Sequence, residues 1–153
     1  MLFETLKKYV VDIQNQQNDL KHNFYLVKKT DIVLVDELIG IPYELKLFYE
    51  NIGYGFFNKN SYSFDRILSP LQYKQVNLRE DFYELDPDLE LYDAKFYEDK
   101  HIFFEVNEGV YLHIDKAMNT CKNAIYYFEE KIADSLEEFI IKFDNEGHYF
   151  ELE

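Results

Sequence analysis

The 153-residue chain has no tryptophan, one cysteine, three prolines and five glycines. No apolar run approaches the ~18 residues of a membrane span, so no transmembrane segment is expected, and because an acidic surface repels anionic lipid no membrane partner is expected either. The single cysteine, Cys121, excludes an internal disulfide and any cysteine-based zinc site. So little proline and glycine leaves scant material for linkers, and the length fits a single domain over residues 1–153. The opening segment Met1-Leu2-Phe3-Glu4-Thr5-Leu6-Lys7-Lys8 contains an acid and lacks the continuous apolar stretch of a signal peptide. A cytoplasmic protein is therefore expected. Cationic residues are also scarce, 16 against 30 acids, for a net charge of −14.

Hydrophobic residues, by contrast, make up 47% of the chain, with 14 Tyr and 14 Phe. That is ample for a folded core, since a chain of this length buries about 68–70% of its unfolded surface. The negative charge is unevenly placed. Residues 1–79 carry a net +1, residues 80–110 a net −9, residues 111–128 a net +1 and residues 129–153 a net −7. Surfaces of this sign repel nucleic-acid phosphates and anionic membranes and attract basic proteins. Solubility alone is the plainer explanation of such charge.

Several elements are legible locally. Leu2, Leu6, Tyr9, Val10 and Ile13 recur at helical spacing, which predicts a helix over 2–18. Phe24-Tyr25-Leu26-Val27 reads as a strand. Thr30-Asp31 offers an N-cap to a helix through Leu38, closed by Gly40. Ile41-Pro42 opens a helix whose buried stripe is Leu45, Phe48, Tyr49 and Ile52, and Gly53 ends it. Tyr54-Gly55-Phe56-Phe57 then leads into a strand. Ser69-Pro70-Leu71-Gln72 and Ser135-Leu136-Glu137-Glu138 are capping boxes that start two further helices. Strands are predicted over 101–106, 110–114 and 124–128, the first two joined by Asn107-Glu108-Gly109 as a bulged hairpin. Residues 79–100, where acids alternate with aromatics, give no clear period. The residues after Tyr149 are expected to fray. The pattern is α+β, a mostly antiparallel or mixed sheet between N-terminal and C-terminal helices.

Catalytic motifs are weak. His22, His101, His113 and His148 lie at no metal-binding spacing, although strand alternation could bring His101 and His113 to one face. Cys121 has no histidine near it in sequence and reads as a free loop thiol. Asp86, Asp88 and Glu90 alternate as in part of a calcium loop, but the required glycine and terminal glutamate are missing. A carboxylate-pair hydrolase would need a deep pocket lined by perturbed acids. No catalytic residue, metal or cofactor is assigned.

The serial arrangement is more informative than any single residue. Asp31-Ile32 through Gly40, then Ile41-Pro42, Leu45-Lys46, Phe48-Tyr49, Gly53 and Gly55, resembles the N-terminal signature of the SUKH superfamily. Phe103-Phe104-Glu105-Val106 with Val110-Tyr111-Leu112-His113-Ile114-Asp115 resembles the central hairpin of those domains. Ala124-Ile125-Tyr126-Tyr127-Phe128, followed by residues 132–140, resembles their last strand and closing helix. The likeness is strongest over 30–143. It departs from the family in a shorter step before Ile41-Pro42 and in the missing tryptophans.

The resemblance implies a non-catalytic binding domain. Many bacterial members look like immunity proteins that cover the active or substrate-binding surface of a cognate toxin, often a nuclease. A regulatory or scaffolding module that binds some other protein is the alternative, as fold does not settle the partner. A nuclease needs a basic groove for phosphate, which an acidic face could fill, with aromatic side chains as anchors. The expected toxin-facing residues are Glu80, Asp81, Glu84, Asp86, Asp88, Glu90, Tyr92 and Asp93, joined by Tyr54. Either a monomer or a homodimer is compatible with this reading.

Overall fold

Seven strands of the described residues pair in the order in which they occur, as one antiparallel meander. They are β1 (Asn23–Tyr25), β2 (Tyr54–Phe57), β3 (Asp65–Ile67), β4 (Lys100–Val106), β5 (Val110–Asp115), β6 (Ile125–Tyr127) and β7 (Glu130–Ala133). The computed structural model describes residues 3–11, 21–58, 64–117 and 120–151. Among the described residues four α-helices accompany the sheet: α1 (Lys29–Ile39), α2 (Tyr43–Asn51), α3 (Pro70–Leu78) and α4 (Leu136–Glu146). The α+β architecture expected from the sequence is what the chain adopts. No helix among the described residues is long and apolar enough to cross a membrane.

The sheet separates two cores. The larger joins Ile32 and Val35 of α1, Leu45, Phe48 and Tyr49 of α2 and Leu136, Phe139, Ile140 and Phe143 of α4 to Phe57, Phe104, Leu112 and Ile114 of the sheet. The smaller, around Leu68, Val76, Ile102 and Tyr111, is completed by Tyr83, Leu89, Tyr92 and Tyr97 from the acidic stretch. A register shift between Ile102 and Phe104 decides which side chain goes where. An extra residue there inverts the alternation, so Ile102 faces the smaller core while Phe104 faces the larger.

Close backbone packing explains two glycines. A Cβ at Gly53 would stand 2.0 Å from the Tyr25 carbonyl oxygen, and one at Gly55 2.1 Å from that of Asn23. Only glycine lets β1 lie this tightly against the exit of α2.

Some sequence expectations give way to tertiary pairing. The predicted helix over 2–18 is, in its described part, a 3₁₀ helix over Glu4–Tyr9. It stops because Val10 bridges to Phe24 and the Val11 N–H donates to the Phe24 carbonyl at 2.8 Å. Leu2, Ile13 and the remainder of that prediction lie outside the described residues. Lys28, not Thr30, is the N-cap of α1, and its side chain makes no capping bond. Of the residues expected to fray after Tyr149, Phe150 and Glu151 belong to a 3₁₀ turn over Tyr149–Glu151, with Phe150 buried against Tyr127 and the Tyr149 hydroxyl donating to the Ile132 carbonyl at 2.7 Å, while Leu152 and Glu153 lie outside the described residues.

Candidate partner-binding surface

Residues 79–97 pass from α3 back to the sheet as a series of 3₁₀ turns, Asp81–Tyr83, Pro87–Asp93 and Lys95–Tyr97. The lead-in is well fixed. Ser69 and Gln72 form the complete capping box of α3, with Pro70 at its start. Arg79 closes that helix in the left-handed conformation, and its guanidinium then reaches Asp93 at 3.0 Å.

A 3₁₀ helix has three residues per turn, so residues i and i+3 eclipse. The burial follows that period. Tyr83, Leu89 and Tyr92 point into the smaller core, with Asp86 half-buried in the same series. One residue earlier in each turn, Phe82 is 82% exposed, Leu85 90% and Leu91 50%, with Asp88 exposed between them. The third series, Asp81, Glu84, Pro87, Glu90 and Asp93, is exposed and mostly acidic. One row therefore holds the segment down, and two rows present apolar and acidic side chains outward.

Tyr92 is the central fastener. Its ring lies 4.8 Å from His113, 5.3 Å from Tyr97 and 6.1 Å from Tyr111. Its hydroxyl accepts the Tyr111 N–H at 3.1 Å, and burial raises the phenol pKa. At the far end Lys100 sits 4.2 Å over the Phe96 ring and 4.5 Å over that of Tyr126, a cation–π clamp. Asp88 abuts the β4–β5 turn, where a Cβ on Gly109 would come within 2.8 Å of its Oδ2.

The nine residues expected to meet a partner separate accordingly. Asp81, Glu84, Asp88, Glu90 and Asp93 are exposed, and Glu80 and Asp86 are partly so. Lys74 engages Glu80 at 2.8 Å, Gln75 Nε2 donates to Asp81 at 3.1 Å, and Asp86 caps the Asp88 N–H at 2.9 Å. Glu84 and Glu90 have no ion pair among the described residues, so their charge is fully presented. Tyr92 must be removed from the exposed set, because the three-residue period turns it into the core, 4% exposed. Tyr54 stands on β2 with its ring against Tyr25 of β1, three strands away from β5, against which Tyr92 of the acidic segment packs. Phe82 and Leu85, exposed beside these acids, lie outside that expected set. With Asp81, Glu84, Asp86, Pro87 and Asp88 they line an open groove of about 500 Å³.

His101 and His113 are engaged in hydrogen-bonding and ring-packing contacts. His113 is paired with Ile102 and His101 with Ile114, so they do not share a strand face as alternation allowed. His101 Nδ1 meets the Tyr73 hydroxyl, and His113 lies under Tyr92 and Tyr97. Burial lowers their pKa values to about 4 and about 3 respectively, so both are neutral at physiological pH. Cys121 is free and exposed. No group of three or more His, Cys, Asp or Glu among the described residues could hold a metal ion.

No family model matches the chain, and no solved structure matches it. A curated relative does. Immunity protein YxxD of Bacillus subtilis (strain 168) is 38% identical over 138 residues, which cover 89% of this chain and 90% of that protein. With that identity spread over nearly the full length of both proteins, the chain belongs to the immunity-protein family represented by YxxD.

Proposed function

We propose that this chain is an antitoxin of the SUKH type that binds a cognate protein toxin in the cytoplasm and neutralises it without turnover. The kinship with an immunity protein supports the role. The observation that carries the mechanism is a run of seven carboxylates and no cation along residues 80–93, five of them exposed, on a segment whose Tyr83, Leu89 and Tyr92 are buried in the smaller core. A toxin that cleaves nucleic acid must hold phosphate in a basic groove. An acidic ridge occupies such a groove in place of the substrate and speeds its own capture electrostatically.

Growth of cells that express the product of the gene adjacent to this chain's own, as the toxin to be tested, provides the test. Co-expression of the wild-type chain is expected to restore growth. The triple charge reversal Asp86→Lys, Asp88→Lys and Glu90→Lys is expected to weaken binding more than ~10-fold and to lose protection. Circular dichroism checks that the variant is folded, since Asp86 also caps a turn. Continued growth arrest beside the wild-type chain would remove the antitoxin role. Full protection by the folded triple variant would move the interface elsewhere.

A further inference from the structure

Phe82 and Leu85 are the two most exposed large apolar side chains among the described residues, at 82% and 90%. They stand on one row of the same segment, flanked by carboxylates. Phe82 also has a packing partner. The Phe82 ring packs edge-to-face on Tyr83 at 5.3 Å, and Tyr83 is itself buried in the smaller core. Pro87 fixes the backbone immediately beyond. An exposed aromatic on a braced turn gives up little conformational freedom when it docks, which favours it as an anchor.

We infer that the surface divides its work: the carboxylates govern encounter, and Phe82 with Leu85 are the anchors that hold the bound partner. The inference rests on the antitoxin reading and identifies the contact chemistry of that same surface. The occupant is a folded protein face that offers apolar sockets inside a rim of Lys and Arg. Charge complementarity selects it. The acids around the groove, Asp81, Glu84, Asp86 and Asp88, repel phosphate backbones and anionic lipid headgroups alike. A second copy of this chain docked symmetrically through the same face would set these acids against one another. A cationic rim matches the acids, and sockets beneath it take the apolar pair. Anchors of this kind, surrounded by a charged rim, usually dominate the free energy of an interface.

Rates and lifetimes separate the two parts. The adjacent gene's product is immobilised, and association and dissociation are followed at about 50 mM and about 500 mM salt, which span strong and weak screening. Phe82→Ala/Leu85→Ala is expected to raise the dissociation rate ~30-fold or more and to leave the association rate within ~3-fold of wild type. Glu84→Gln/Glu90→Gln, which breaks no ion pair, is expected to slow association several-fold at low salt only. Leu26→Ala, at a position that is 70% exposed beyond β1, serves as the apolar control and is expected to change neither rate. A wild-type dissociation rate in the Phe82/Leu85 variant would overturn this inference and leave the antitoxin role standing. No binding by the wild-type chain would instead defeat the antitoxin reading itself.

Discussion

Replacing Glu44 by alanine is expected to lower the unfolding free energy by about 3–5 kcal/mol, measured by urea denaturation. Glu44 lies in the first turn of α2 and is only 2% exposed, an unusual place for a carboxylate. Its Oε1 accepts the N–H groups of Asn123 and Leu136 at 2.8 and 2.9 Å, and its Oε2 accepts that of Glu137 at 3.1 Å. Leu136 and Glu137 are the first two residues of α4. Ser135 caps the third N–H, that of Glu138, at 3.0 Å, and the fourth, Phe139, returns to the Ser135 carbonyl. The helix start is thus fully satisfied, half of it by a side chain from another helix. A negative charge there also complements the helix dipole. Alanine leaves three donors without a partner, and buried unmet donors cost about 1–3 kcal/mol each. Glu44→Gln keeps the shape and one acceptor oxygen, and a loss of about 1–2 kcal/mol is expected. An alanine variant within about 1 kcal/mol of wild type would mean that water or a shifted backbone replaces the carboxylate.

Tyr92→Ala is expected to cost about 3–5 kcal/mol as well, from the range for aromatic-to-alanine core changes. Its consequence for binding differs from that of Glu44. Without Tyr92 the row of buried side chains loses its last member and the segment its contacts to Tyr97, Tyr111 and His113, so amides of residues 80–97 should exchange hydrogen faster while the larger core stays protected. Tyr92→Phe keeps the ring but leaves the Tyr111 N–H without its acceptor, a loss of about 1–2 kcal/mol. Phe82→Ala, one row away, should change stability by no more than about 0.5 kcal/mol, since its side chain is mostly in water. Tyr92 holds the segment and Phe82 presents it. Unaltered exchange in residues 80–97 of Tyr92→Ala would contradict that division.

Elements that announce themselves over a few residues were the ones legible in the sequence. Gly40 before Ile41-Pro42, the box at Ser69 and Gln72 and the Asn107-Glu108-Gly109 turn each mark a boundary by local chemistry, and the structure has a boundary at each. β3 and β7 carry no such mark. β7 follows a tight turn in which Phe128, not a glycine or asparagine, takes the left-handed conformation at φ +54°. β3 is three residues long and owes its place to tertiary bonds, with Asp65 accepting from the Asn107 N–H at 3.2 Å and meeting His148 Nε2 at 2.8 Å. The acidic segment shows the same limit in another form. Its period is three, whereas amphipathic patterns are sought at 3.6 and 2. Read in threes, residues 82–92 place Tyr83, Leu89 and Tyr92 in one row and Phe82, Leu85 and Leu91 in another. The concentration of acid was visible in the sequence. Which aromatics were buried depended on a backbone geometry that composition does not reveal.

The most direct test of the proposed toxin capture by the acidic ridge is a titration of the chain into the product of the gene adjacent to its own, by calorimetry at about 50 mM and about 500 mM salt. Tight binding at low salt that weakens ~10-fold or more at high salt is the expected result. No heat of binding at either salt, with both proteins folded, would contradict it.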